Sequence, residues 1–284
     1  MMRSLRKVTF SQWLLLVVLT AIGLFMFIPI VFLFNNAFKP LNELYLFPPP
    51  IFVRQPTMQN FDHLFLQAAA GAVPFTRYLF NSVVVAVATL AAVVLVSTMA
   101  GYVLSKHRFH FKSVIMATVM ISLMFVPEMV LIPRYLVVSG LGLKDTYWAH
   151  ILPFVASPVA VFLMKQFIDQ IPDALLEAAK LDGATDMYMF TRIVIPLTAP
   201  AVATICIITF QLVFMDVTTS TYYTTKDTLK TMAFYMTSFT INIPGVAAAS
   251  VGAAIGLLMF LPNLLLFLLF QRKMIQTMLH SGVK

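Results

Sequence analysis

Charge is what this sequence most lacks. Only 11% of its 284 residues are Asp, Glu, Lys or Arg, where a soluble domain carries about a quarter. Water is therefore not its main solvent, and a hydrophobic share of 60% with a mean hydropathy of +0.90 says the same. Acids are the scarcer sign, 11 against 19 bases, which leaves a formal charge of +8. That excess does not mark a nucleic-acid binder, because the bases stand between apolar runs rather than along one face. Cys206 is the only cysteine, so an intrachain disulfide is excluded and the redox compartment stays unread. No Gly-Lys pair occurs, so the loop that cradles nucleotide phosphates is missing. A metal triad, a Ser/His pair and Gly-x-Ser-x-Gly are missing too, which argues against an intramembrane enzyme. A transporter driven by an ion gradient would carry paired carboxylates or broken helices near the bilayer midplane. Only Glu128 comes near that pattern, and it lies off-centre in its segment.

Long apolar runs are what the sequence has. Stretches without Asp, Glu, Lys or Arg cover 8–38, 78–105, 113–127, 146–164, 193–215 and 231–271. A spanning helix needs about 20 mostly apolar residues, and in lipid a helix satisfies its own backbone. The third run is short but extends through Glu128 towards 131–138. The last exceeds one helix, and Asn242, Pro244 and Gly245 interrupt it. The predicted spans are 12–35, 79–104, 113–137, 147–168, 193–215 and 246–270, in one transmembrane domain over 1–284. The first is too long in its apolar run, and lacks the small-residue site, to be a cleaved signal peptide.

Lysine and arginine fix the expected orientation. With the N-terminus inside, the inner segments hold twelve of them and the outer ones seven. The inner loop 105–112 carries Lys106, Arg108 and Lys112 with no acid. The positive-inside rule then puts both termini in the cytoplasm of a multi-pass cell-membrane protein.

Segment 170–192, between the fourth and fifth spans, is not a plain loop. Pro172 followed by Asp173 suits a helix first turn, where a missing N–H costs little and a carboxylate meets the positive dipole end. Residues 174–181 are strong helix formers. Gly183 can take the left-handed conformation that ends such a helix, and Thr185 or Asp186 can cap a second one. Ala178, Ala179 and Gly183 offer a small-residue surface that another backbone can approach. On physics alone, an amphipathic helix lying on the membrane surface accounts for the segment better.

A resemblance alters that balance. Glu177-Ala178-Ala179, three residues to Gly183, then nine to Ile193, Ile195 and Pro196 resembles the EAA motif of ABC importer permeases, with Ile195 where the family has leucine. Asn36-Ala-Phe-Lys-Pro40, Pro48-Pro49-Pro50, Leu131-Ile-Pro-Arg-Tyr135, Leu141-Gly-Leu-Lys-Asp-Thr-Tyr147 and Phe162-Leu-Met-Lys-Gln-Phe167 are similar to the carbohydrate branch, which includes the smaller maltose permease subunit. The 211–230 region departs: Phe214-Met-Asp-Val stands where the family often has an aromatic-Asn-acidic sequence.

The resemblance implies an all-α transmembrane fold of the six-helix type I importer kind, with a cytoplasmic coupling helix between spans 4 and 5. It implies a sugar or oligosaccharide importer driven by ATP. The implied partners are a second homologous permease subunit, two copies of a cytoplasmic ATP-binding subunit that uses ATP and Mg, and an extracellular or periplasmic solute-binding protein. The lipid bilayer surrounds the assembly, and this chain itself binds no cofactor. An importer of the same fold for a non-sugar solute is the alternative. Glu177, Ala178, Ala179, Asp182, Gly183 and Asp186 become the coupling residues. Gln211, Asp216 and Glu128 are the candidates for the translocation path. Glu128 is otherwise a carboxylate at the interface or paired with Arg134, and Asp216 a helix-end charge in water. Trp148 and Tyr147 read as aromatic-belt residues, Arg192 as a snorkelling one, and His107, His110 and His150 carry no assigned role. The outer segment 217–245 is assigned to the binding protein.

Overall fold

The computed structural model describes residues 10–44, 46, 50, 52–70, 73–242 and 247–281, and among these every regular element is helical. In chain order they are α1 (Phe10–Ala37), α2 (Leu41–Leu44), α3 (Gln59–Ala70), α4 (Phe75–Lys106), α5 (Lys112–Ser122), α6 (Leu131–Gly140), α7 (Tyr147–Val155), α8 (Pro158–Asp169), α9 (Asp173–Leu181) and α10 (Asp186–Met189). A π-helical turn (Phe190–Val194) follows, then α11 (Ile195–Leu197), α12 (Ala199–Phe214), α13 (Thr218–Tyr222), a 3₁₀ turn (Asp227–Leu229), α14 (Met232–Asn242) and α15 (Ala247–Ser281).

Four stretches are helical, long and apolar enough to cross a membrane: Phe10–Ala37, Phe75–Lys106, Ala199–Tyr222 and Ser250–Lys273. They match the first, second, fifth and sixth predicted spans. The fourth, expected as one helix over 147–168, is a pair bent by 43° between α7 and α8. Pro158 opens α8, and the Ser157 hydroxyl accepts from the Ala160 amide at 3.4 Å, so the chain restarts its hydrogen bonding there. The third span, expected unbroken over 113–137, is instead α5 and α6 with turns at 123–130 between them. Pro127 lacks an N–H and biases its predecessor away from helix, which ends α5 early and puts Glu128 in the link. The fifth begins beyond its expected start, because the π-helical turn and the short α11, whose Pro196 cannot donate to the ladder, come before α12.

The chain groups into two compact units, Met1–Gln67 with Thr240–Leu258, and Ala68–Phe239 with Met259–Lys284. In the first, α1 is apolar all round and buries only Asn36 and Ala37, as suits a helix in lipid. Its end is tied down by a polar knot. Buried Lys39 donates to the Pro50 carbonyl at 2.7 Å, and the Asn60 amide to the carbonyls of Ala37 and Lys39. Buried Glu43 accepts the Arg54 and Gln55 amides. Pro48 and Pro49 of the predicted loop signature lie outside the described residues.

In the second unit α4 is the central helix. Its buried stripe includes Tyr78, Asn81, Val85, Thr89, Val93 and Tyr102. Val93 and Tyr102 join Met164 and Ile168 of α8, Phe190 of the π-helical turn and Ile205 of α12 in one apolar cluster. Towards the start of α4, Val85 and Ala86 pack with Ile151 of α7 and Val213 of α12.

Candidate functional site

Helix α9 begins where the sequence predicts, at Asp173 directly after Pro172. It ends on Gly183, whose φ of +85° is left-handed. The Gly183 amide donates to the Lys180 carbonyl at 3.1 Å, and the Ala184 amide reaches back to the Ala179 carbonyl at 3.0 Å. These two bonds are the Schellman closure, and they satisfy carbonyls that a helix end otherwise leaves open. Thr185 then caps α10, accepting from the Tyr188 amide at 3.3 Å. Asp186 follows as the first residue of α10, its charge at the positive end of the turn. The capping is thus done by Thr185.

Glu177, Ala178, Asp182, Gly183 and Asp186 are exposed and Ala179 is half-buried. A notch of about 410 Å³ lies in the elbow, lined by Ala179, Asp182, Gly183, Ala184, Thr185 and Tyr188. A Cβ on Gly183 would meet nothing within 4 Å, so this small-residue surface has no occupant from its own chain. Leu175 and Leu181 are exposed beside it, 50% and 90%. The helix end is closed by its own backbone bonds and presents small side chains and exposed leucines outward. The start of α9 is held from α4: the Lys106 ammonium donates to the Ile171 carbonyl and to the Asp173 carboxylate, both at 2.6 Å.

The proposed path residues do not gather. Gln211 is exposed on α12, turned away from its own unit's core. Glu128 is exposed in the α5–α6 link, and Arg134 donates to the Tyr223 hydroxyl at 3.0 Å rather than to it. Asp216 takes the helix-end role: its carboxylate accepts the amides of Thr218 and Thr219, at 3.3 and 2.9 Å, and the Thr219 hydroxyl. Trp148 is 56% exposed, whereas the Tyr147 hydroxyl donates inward to Asn81 at 2.7 Å. Arg192 is exposed near the start of the fifth span.

At the N-terminal end of α4 lies a polar network that sequence reading did not find. Fully buried Asn81 donates to the carbonyls of Thr228 and Lys230, both at 2.9 Å, and Ser82 accepts the Met232 amide at 2.8 Å. Arg77 joins at the Thr228 carbonyl. His150, also fully buried, bridges Thr219 at 2.7 Å and Thr224 at 3.1 Å. Asp145, at φ +58°, accepts the Thr225 amide and hydroxyl and the Lys226 amide. Those three donors, the Thr225 hydroxyl foremost, hold its carboxyl below the usual aspartate range. Segment 216–232 is therefore pinned to α4, α7 and the 141–146 turn. Its only sequence signal was an unusual density of polar residues for this chain.

Comparison with known proteins places this arrangement. Residues 93–276 match the family model described as binding-protein-dependent transport system inner membrane component. The arabinooligosaccharides transport system permease protein of Bacillus subtilis (strain 168) is 29% identical over 263 residues, 90% of either chain. The sn-glycerol-3-phosphate transport system permease protein of Yersinia enterocolitica is 36% identical over 154 residues, 54% of either chain. Among solved structures, a chain of a bacterial ABC transporter involved in the import of the acidic polysaccharide alginate superposes with a TM-score of 0.78. It does so at 18% identity, over 96% of this chain and 99% of that one, a likeness of fold.

Proposed function

Because the chain belongs to the family of binding-protein-dependent transport system inner membrane components, we propose that it is a permease subunit of an ATP-driven importer of sugars or oligosaccharides. The names of its relatives support the substrate class: arabinooligosaccharides for one matched along nearly its whole length. In this reading α5, the 123–130 link and α6 together make the third crossing and the bent α7–α8 pair the fourth, giving six. Both termini and segment 170–192 face the cytoplasm, on the distribution of lysine and arginine.

The observation that carries the mechanism is the α9–Gly183–α10 elbow. Its exposed Glu177 and Ala178, half-buried Ala179 and Schellman-closed end form a projection on a chain without a phosphate-cradling loop. The elbow docks on a partner ATP-binding subunit, which supplies ATP and Mg chemistry. A second permease subunit completes the path, and a solute-binding protein delivers substrate to segment 217–245. ATP binding then favours one of two conformations by differential affinity, and the spans alternate access. Gln211, exposed on α12, faces the path, because an amide in lipid carries a penalty.

The test is reconstitution. The complete complex should hydrolyse ATP faster when saccharide-loaded binding protein is added, and the isolated chain should not hydrolyse it. Hydrolysis by the isolated chain removes the proposal. A second reading, import of a phosphorylated polyol, draws on the glycerol-3-phosphate relative. Stimulation by glycerol-3-phosphate-loaded binding protein, with none by saccharide, would establish that reading instead.

A further inference from the structure

We propose that Lys106 is the positioning residue that carries movement of α9 into the span α4. The proposal rests on the reading of α9 and α10 as the segment seated on the ATP-binding subunit.

Lys106 is the last residue of α4, and its side chain is only 9% exposed, while that of its partner Asp173 is 76% exposed. The ammonium is therefore the buried half of the pair. A buried lysine ammonium needs acceptors for its N–H groups, and both acceptors here are close: the Ile171 carbonyl and the Asp173 carboxylate, each at 2.6 Å. Ile171 is itself 7% exposed and belongs to the apolar cluster around Met164. One side chain thus grips the residue that enters α9 and the first residue of α9 at once.

The neighbouring contacts make this junction stiff. Ser105 donates to Asp169 at the end of α8, 2.6 Å away. Lys112 of α5 donates back to the Ser105 and His107 carbonyls. One helical turn earlier, Gly101 lets α4 lie directly on the α8 backbone at Met164 and Lys165. A displacement of α9 is therefore passed to α4 by the polar grip of Lys106, beside the apolar packing of Leu176 on the cluster that holds Tyr102.

The far end of α4 is also committed. Asn81 and Arg77 hold the carbonyls of Thr228 and Lys230. With 32 residues, α4 is a strut about 48 Å long at the helical rise of ~1.5 Å per residue. One end is gripped by the candidate coupling helix and the other grips segment 228–232. Movement at Lys106 therefore emerges at the opposite face, where solute arrives.

The experiment uses the complete complex with Cys206→Ala, the only cysteine removed, and Lys226→Cys carrying a spin label. Its signal is recorded with and without trapping by ATP, Mg and vanadate. The parent complex should change signal on trapping. Lys106→Met should lose that change while still retaining the ATP-binding subunit and trapping nucleotide, and Lys106→Arg should restore it. A Lys106→Met complex that responds like the parent overturns the proposal, and so does a parent that never responds. Where Lys106→Met fails to assemble, Asp173→Asn replaces it. That change keeps the Ile171 bond and removes the ionic one, and it should weaken the response with assembly intact; a full response is contrary. If neither variant assembles while Lys106→Arg does, Lys106 is architectural and the proposal falls. Gly183→Asp tests the underlying reading separately: normal retention of the ATP-binding subunit with a normal response would refute docking at α9, whatever Lys106 does.

Discussion

Gly101 of α4 and Met164 of α8 approach so closely that a Cβ added to the glycine would lie 2.9 Å from the methionine Cβ. The next atoms, the Lys165 amide nitrogen at 3.1 Å and the Met164 carbonyl carbon at 3.2 Å, are backbone and cannot turn aside. The two helices meet here at backbone distance, as small residues permit in membrane bundles.

That geometry sets the sign of a substitution. Glycine to alanine inside a helix normally gains about 1 kcal/mol, whereas forcing extra carbon into a packed contact costs about 1–3 kcal/mol. Gly101→Ala should therefore lower the thermal denaturation midpoint of the purified complex, and Gly101→Leu lower it further. Gly23→Ala on α1, where a Cβ would meet nothing within 4 Å, should leave the midpoint unchanged or raise it. Equal effects at the two positions would contradict the close approach.

Gly183 presents the opposite case, with space but a left-handed backbone. Alanine there costs on the order of 1 kcal/mol in backbone strain and meets no atom of its own chain. Gly183→Ala should thus fold, while Gly183→Asn, better tolerated at such angles, should fold at least as well. If the notch beside Gly183 receives the ATP-binding subunit, Gly183→Asp should abolish uptake and release that subunit, with membrane insertion intact. Uptake is scored beside the amount of ATP-binding subunit retained on affinity-purified permease.

The residues legible in the sequence were those whose structural reason is local. Pro172, Gly183 and Thr185 each act within four positions of themselves, so spacing alone announced helix, left-handed stop and cap. The long apolar crossings were equally visible, because one run supplies the whole signal. The break in the third crossing had its cues in Pro127 and Glu128, but continuity of hydropathy outweighed them. The reading of 147–168 as one helix passed over Pro153 and Pro158, the local residues at the α7–α8 bend. His150 carried no local cue at all: its partners are 69 and 74 residues away. Asp145 stood in the sequence only within the 141–147 resemblance, and its work is done on residues 80 and 81 positions distant.

The Asp145 clasp predicts a pH dependence of defined sign. Its carboxyl is held below the ordinary range by the Thr225 hydroxyl and the amides of Lys226 and Thr225. A group whose folded pKa is depressed adds stability above its unfolded value, about 3.9 for aspartate, and loses it as pH falls through the folded value. Hydrogen-exchange protection of the Thr225 and Lys226 amides should therefore be constant from neutral pH down to the ordinary aspartate range, then fall in stronger acid. Asp145→Asn, which tolerates the same left-handed angles, should show weaker protection with no such fall. A loss of wild-type protection near neutral pH would assign the latch to another group.

His150 yields the most demanding test, because its hydrogen bonds form a chain. The Thr219 hydroxyl gives its single hydrogen to Asp216. It can therefore only accept from the imidazole, so Nδ1 of His150 carries a hydrogen towards Thr219 and Nε2 faces Thr224. The chain links α7 to both ends of the 219–224 turn, and His150, Thr219 and Thr224 are all buried. Phenylalanine fills similar space but removes the imidazole from both hydroxyls, leaving Thr219 its bond to Asp216 and Thr224 a long one to the Thr219 carbonyl at 3.5 Å, at about 1–3 kcal/mol for the buried partner removed. His150→Phe should lower the denaturation midpoint of the complex accordingly. Thr224→Ala should cost less in the His150→Phe background than in the wild type, since the bond it removes is already gone. Groups that share one hydrogen-bond chain couple by about 0.5–3 kcal/mol in such a cycle. Strict additivity of the two substitutions would mean that the imidazole is held by packing alone, and segment 216–232 would then owe its fixed position to Asn81, Ser82 and Asp145.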